Sequence, residues 1–248
     1  MSRFLSRREW LSAAGVAASA TVLAACGSDG RSPAAPTVTV PADAVIPTET
    51  ARPTITNPDV AFKQLMDGNA RFVDAKMVHP AQDPEHRLRV SQGQQPFAAI
   101  LTCSDSRLPP EVIFDQGLGD LFVVRVAGNV VDAALLGSVE YAVDHLNTPL
   151  VVVIGHERCG AVEATLESIQ HNSKPHGDIG ALVEAITPAV PVAEQRPGDL
   201  LENTIRVNAE MSRDAIAKSS ELAGRLKSGE VKVLAAYYSL DDGRVTQL

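Results

Sequence analysis

Three short apolar runs stand out in the middle of the chain: 97–102 (FAAILT), 121–126 (LFVVRV, broken only by Arg125) and 150–154 (LVVVI). Each is too short for a buried helix and reads as a strand covered on both faces. Between the second and third, Leu135, Leu136, Val139, Ala142, Val143 and Leu146 recur at helical spacing, predicting a helix within 132–147. Strand, helix and strand in about 30 residues make a βαβ unit with parallel strands. Upstream, Val60, Phe62, Leu65, Met66 and Phe72 give one face of a helix that opens at Pro58 with Asn57 as cap. A shorter helix covers 85–92. Downstream the pattern predicts a helix at 161–170, a proline-broken stretch to Pro197 and a long helix at 200–226. A strand at 231–239, the turn Asp241-Asp242-Gly243 and a last short strand close as a hairpin. The expected fold is α/β: a mostly parallel central sheet flanked by helices on both faces, with an antiparallel strand at its C-terminal edge. In such sheets ligands bind beyond the carboxyl ends of the strands, which selects Cys103 and His156.

The N-terminal part has another texture. Ser6-Arg7-Arg8-Glu9-Trp10-Leu11 leads into an Ala-rich apolar stretch that ends in Leu23-Ala24-Ala25-Cys26. Charge, a weakly apolar segment and small residues form the layout of an export signal. The Arg7-Arg8 pair resembles a twin-arginine address, and the last four residues resemble a lipobox, in which Cys26 becomes the lipidated first residue. Residues 26–57 are rich in Ala, Thr, Pro and Ser, cannot bury a core and read as a disordered tether. The expected organisation is a signal at 1–25, a tether at 26–57 and a folded domain at 58–248. The expected location is outside the cytoplasm, in the periplasm or at the cell surface. Contact with the membrane would be through a lipid alone.

Composition narrows the partners. The 248 residues are 45% hydrophobic and 21% charged, with a formal net charge of -8 and few aromatics, so nucleic acid is not an expected partner. With Cys26 assigned to the signal, two cysteines remain, and both stand at predicted strand ends: Cys103-Ser104-Asp105-Ser106-Arg107 and His156-Glu157-Arg158-Cys159-Gly160. Cys103, His156 and Cys159 form a Cys₂His set with one position open, the composition of a catalytic zinc site. An exported protein with two neighbouring thiols would tend to form a disulfide. A metal loaded before export prevents that, and the twin-arginine route carries folded proteins.

These motifs, with Phe122-Val123-Val124-Arg125-Val126-Ala127-Gly128-Asn129 and Gly137-Ser138-Val139-Glu140-Tyr141-Ala142-Val143, resemble the β-class carbonic anhydrases over residues 58–243. The resemblance implies one zinc per subunit on Cys103, His156 and Cys159, with water or the Asp105 carboxylate as fourth ligand. It implies a pocket for CO₂ at a dimer interface, with Gln94 contacting a substrate oxygen, Phe122 and Tyr141 lining an apolar cavity and Gly128 beside it. A homodimer is the implied minimum assembly, the sequence leaving open whether dimers pair into tetramers, with CO₂ and bicarbonate as substrate and product.

Zinc would acidify a water, Asp105 would accept a hydrogen bond from it, and Arg107 would hold Asp105 off the metal by a bidentate pair. Blander readings stand beside these. Asp105 could cap a following helix, Arg125 could form a structural ion pair, and Phe122 and Tyr141 could be core residues. Gly128 and Gly160 read as tight turns, and Gly155 as room for the backbone to approach the metal. No histidine stands out as a proton shuttle. Alternatives of function are a hydrolase of carbonyl sulfide or carbon disulfide on the same scaffold, and a zinc- or bicarbonate-binding surface protein without turnover.

Overall fold

The apolar runs form the centre of a five-stranded sheet in the computed structural model, which describes residues 54–248. The export signal, Cys26 and nearly all of the tether lie outside the described residues. Strand β1 (Ala98–Thr102) is flanked by β2 (Leu121–Arg125) and β3 (Leu150–His156). β4 (Lys232–Tyr238) follows β3, and β5 (Val245–Gln247) closes the edge, giving the order β2-β1-β3-β4-β5. The first four strands are parallel and β5 pairs antiparallel with β4. Every residue of β1 and β3 is buried, as expected of central strands in a parallel sheet.

Helices cover both faces. Helix α1 (Pro58–Val73) packs Ala61 and Leu65 against Ile100, Val152, Ile154 and Tyr238. Its N-terminus is capped by Asn57, whose Oδ1 accepts from the amides of Asp59 and Val60, a contact worth about 1 kcal/mol. Val60 does not share the buried face and is 53% exposed, because the stripe runs through 58, 61, 65, 68 and 69 at helical spacing. Helix α2 (Pro84–Val90) and the single turn α3 (Pro110–Ile113) complete the N-terminal part.

On the opposite face α4 (Ala133–Leu146) lays Val139, Ala142 and Val143 over Ala99, Leu101, Val151 and Val153. Helix α5 (Gly160–Gln170) follows β3, and the proline-broken stretch holds α6 (Ile179–Ile186) and the short α7 (Val190–Ala193). The long helix expected at 200–226 is two helices, α8 (Leu200–Ala217) and α9 (Ala223–Ser228). The break falls at Ser219, whose hydroxyl donates to Glu140 Oε1 at 2.6 Å and accepts from the Glu221 amide. Local bonds of this kind compete with the helical ladder. No helix among the described residues is long and apolar enough to cross a membrane.

Glycine spacing brings α8 onto the sheet. A Cβ at Gly155 would stand 3.1 Å from Ile205 Cγ2 and 3.2 Å from Ala209 Cβ, both on α8. Gly155 therefore serves helix packing and not approach to a metal. Gly160 shows no positive φ and open space around it, so no tight turn requires it.

Candidate metal centre

The crossover topology puts β1 and β3 side by side, with Thr102 opposite Ile154. The chain leaves β1 at Cys103 and ends β3 at His156, so both emerge at the same edge of the sheet. Cys159 then precedes the first turn of α5. The two sulfurs and a ring nitrogen of His156 lie within 4.8 Å of one another, and all three residues are buried. Sequence reasoning named these three, and the structure brings them together.

The cluster fits a zinc ion on its own chemistry. Both thiols are free. The Nδ1 of His156 faces the Glu157 carbonyl at 3.0 Å, while Nε2 is buried with no hydrogen-bond partner. An orphaned buried nitrogen beside two sulfurs matches the donor set of a thiolate–imidazole metal site. With Nδ1 donating to a carbonyl, the Nε2 lone pair is left for the metal. The Cys103 thiol is drawn down by the hydrogen bond from Cys159, and Cys159 is pushed up by the same bond and by burial. The Gly128 amide also donates to Cys103 Sγ at 3.3 Å, from a turn where Gly128 takes φ 74.

Asp105 stands beside the cluster and outside it. Arg107 grips both of its oxygens, Nε to Oδ1 at 2.9 Å and Nη2 to Oδ2 at 2.7 Å, and the Arg107 amide adds a third bond to Oδ1. This pairing holds the carboxyl down at about 2. No helix starts at Asp105, since α3 opens at Pro110, and the capping alternative falls away. Arg125 forms no ion pair among the described residues either. Its Nε donates to the Cys103 carbonyl at 3.0 Å and its Nη2 to the Asp105 carbonyl, so a strand residue clamps the 103–107 loop through the backbone.

That clamp was not legible in the sequence, because backbone carbonyls carry no residue-type signature. Asn208 of α8 was missed for the same reason; its Nδ2 donates to the Gly128 carbonyl at 2.7 Å and steadies the turn that faces Cys103. Glu157 was quoted only as part of a motif, yet it ties the histidine loop to the C-terminal hairpin.

The remaining pocket residues lie elsewhere in the chain. Gln94 is exposed and lines a cavity of about 910 Å³ with His86, Phe97 and Leu118, ahead of β1 and at the opposite end of that strand from Cys103. Phe122 and Tyr141 form a pair, ring centroids 6.2 Å apart, in which Tyr141 is 47% exposed. A single chain does not bring these three to the metal cluster.

Comparison with known proteins agrees with the site. The carbonic anhydrase family profile matches residues 98–245. Carbonic anhydrase 2 of Mycobacterium tuberculosis is 46% identical over 193 residues, covering 76% of this chain and 92% of that protein. The carbonic anhydrase of Mycolicibacterium smegmatis is 43% identical over the same span and shares. Among solved structures, the β-carbonic anhydrase CafA of Aspergillus fumigatus superposes with a TM-score of 0.59 at 25% identity, covering 77% of this chain and 89% of that one. Two tetrameric β-carbonic anhydrases are described from Sordaria macrospora, and a match to that work has a TM-score of 0.61 at 21% identity, covering 76% and 97%. Sheet order, a buried thiol–imidazole cluster whose Nε2 has no hydrogen-bond partner, and relatives matched over nearly their whole length lead to one assignment: the chain belongs to the β-class carbonic anhydrases, zinc-dependent lyases that interconvert CO₂ and bicarbonate.

Proposed function

We propose that Asp105 and Arg107 carry the hydration of CO₂ at a zinc held by Cys103, His156 and Cys159. The observation behind this reading is the bidentate Asp105–Arg107 pair next to a buried donor set with an unclaimed nitrogen. Zinc bound there supplies Lewis acidity, which makes a water nucleophilic near neutral pH. Asp105, ionised at every working pH, would accept a hydrogen bond from a water at that position and orient it toward CO₂. Arg107 occupies both carboxylate oxygens and so keeps Asp105 from turning in toward the sulfurs. One proton is released to solvent or buffer for each bicarbonate formed. A stopped-flow indicator assay from about pH 7 to 9 tests the assignment. Fast proton release by the zinc-loaded parent and its collapse in Asp105→Ala are expected; equal rates would reject the role of Asp105.

The substrate pocket is completed, in this reading, by a second copy of the chain. Gln94, Phe122 and Tyr141 are remote from the cluster within one chain; Gln94 and Tyr141 are exposed, and Phe122, half-buried against the core, pairs with the Tyr141 ring, as residues meant for a partner's site would. A homodimer is the minimum unit, and a tetramer a pair of these. Sedimentation of the parent and of Tyr141→Arg checks it: a dimeric parent and a monomeric, inactive variant are expected.

The same reading places the enzyme outside the cytoplasm, on the strength of Arg7-Arg8 and the Leu23-Ala24-Ala25-Cys26 sequence. The signal at 1–25 is removed, Cys26 carries the lipid, and residues 26–57 tether a catalytic domain at 58–248. Mass spectrometry of the mature N-terminus should find a lipidated Cys26; an unmodified start elsewhere rejects the anchor.

A further inference from the structure

The zinc-binding histidine stands on a loop whose fastening its own motif does not demand. Between His156 and Cys159 lie Glu157 and Arg158, and Arg158 takes φ 51, a left-handed conformation that a long side chain adopts only under constraint. The constraint is Glu157. Its amide extends the ladder to the Tyr238 carbonyl at 3.0 Å. Its carbonyl faces Nδ1 of His156 at 3.0 Å. Its carboxylate Oε2 accepts from the amides of Leu240 and Asp241, at 2.7 and 3.1 Å, and from the Ser239 hydroxyl at 3.2 Å. Oε1 takes Arg158 Nη1 at 2.6 Å, and Arg158 Nη2 reaches Asp241 at 2.6 Å. One residue thus has its carbonyl on the imidazole and its carboxylate seated in the turn of the hairpin, 83 residues along the chain.

An imidazole turns about its second side-chain torsion in a broad well, so the bond at Nδ1 decides where Nε2 points. That bond depends on the plane of the 157–158 peptide. The plane is set on one side by the ladder and on the other by the left-handed Arg158. If the carboxylate is released, the loop relaxes, the peptide rotates and the carbonyl leaves Nδ1.

We infer that Glu157 is a positioning residue for His156, and that the C-terminal hairpin is, through it, part of the support of the metal centre. The inference rests on the reading of the cluster as a zinc site. Its test is therefore metal binding and not turnover.

Cobalt(II) and zinc(II) affinities, and the visible absorption of the cobalt form, are measured for the full chain and four variants. Glu157→Ala should weaken binding by about 10–100-fold and shift the cobalt bands. Glu157→Gln keeps an acceptor oxygen at full reach and should stay within about threefold of the parent, with parent-like bands. Glu157→Asp keeps the charge and loses the reach, and should resemble Ala. Arg158→Ala leaves the hairpin bonds intact and should bind like the parent. A folded Glu157→Ala with parent affinity and spectrum overturns the inference. Should Ala fail to fold, the Gln and Asp forms decide, and Asp binding as tightly as Gln or tighter overturns it. A parent that binds neither metal refutes instead the zinc reading.

Discussion

Two loops leave neighbouring parallel strands at the same edge of the sheet and each delivers sulfur to one cluster, yet they are held in different ways. The 103–107 loop is gripped from β2 by Arg125 through two carbonyls, and its charged pair sits at the surface, with the Arg107 side chain 50% exposed. The 156–159 loop is fastened through a carboxylate that takes two amides and a hydroxyl of the hairpin, and His156 is 0% exposed. The difference separates two tasks. Metal donors need a rigid, dry floor, because a thiolate–imidazole set tolerates little displacement. In the role proposed for it, the Asp105 carboxylate needs solvent beside it, and its loop is restrained at the backbone while its side chain is left to Arg107.

Substitutions can break or sharpen this contrast. The largest effect is expected from Cys159→Ser, which takes a thiolate out of the floor. Zinc affinity should fall by about 10²–10³-fold in competition with a chromophoric chelator. An unchanged affinity would show that the two loops do not share an ion.

Next is Asp105→Asn, which should cost about 10²-fold in CO₂ hydration while zinc content by elemental analysis stays at one per chain. Loss of zinc in this variant would erase the division of labour between the loops.

Gly155→Ala acts on the floor from behind, pressing α8 away at Ile205 and Ala209. A destabilisation of about 1–3 kcal/mol is expected in urea unfolding, with hydration activity per folded molecule reduced because His156 is the next residue.

The smallest effect on stability is that of Arg107→Gln. The Asp105 carboxyl, held at about 2 by Arg107, should titrate near 3.9 in carbon NMR of the variant. Because pairing depresses this group in the folded state, its stabilisation is complete above about pH 4 and fades as pH falls toward 2. The exposure of Arg107 keeps that contribution small, so melting temperatures of parent and variant should nearly coincide at pH 7.

Much of the site was readable in advance, for reasons that differ from residue to residue. Cys103, His156 and Cys159 are rare residue types at strand ends, so their chemistry announces itself one residue at a time. Asp105 and Arg107 are two apart, within local reach of a bidentate pair. Arg125 was misread as an ion-pair former because its partners are carbonyls of the loop after the neighbouring strand. Gly155 was misread because the atoms that need its space belong to a helix some 50 residues later. The long helix was overextended because Ser219 finds Glu140 on another helix, which no periodicity in 200–226 records.

By itself the amino-acid order determined the alternation of strands and helices, the ligand types and the ends of strands on which they stand, since periodicity and side-chain chemistry are local properties. Only the tertiary structure decided that β1 and β3 lie side by side, that Nε2 of His156 is the free nitrogen, and that the hairpin holds Glu157. Each of these depends on contacts between segments tens of residues apart, and such contacts are selected by packing and by the satisfaction of buried polar groups across the whole fold.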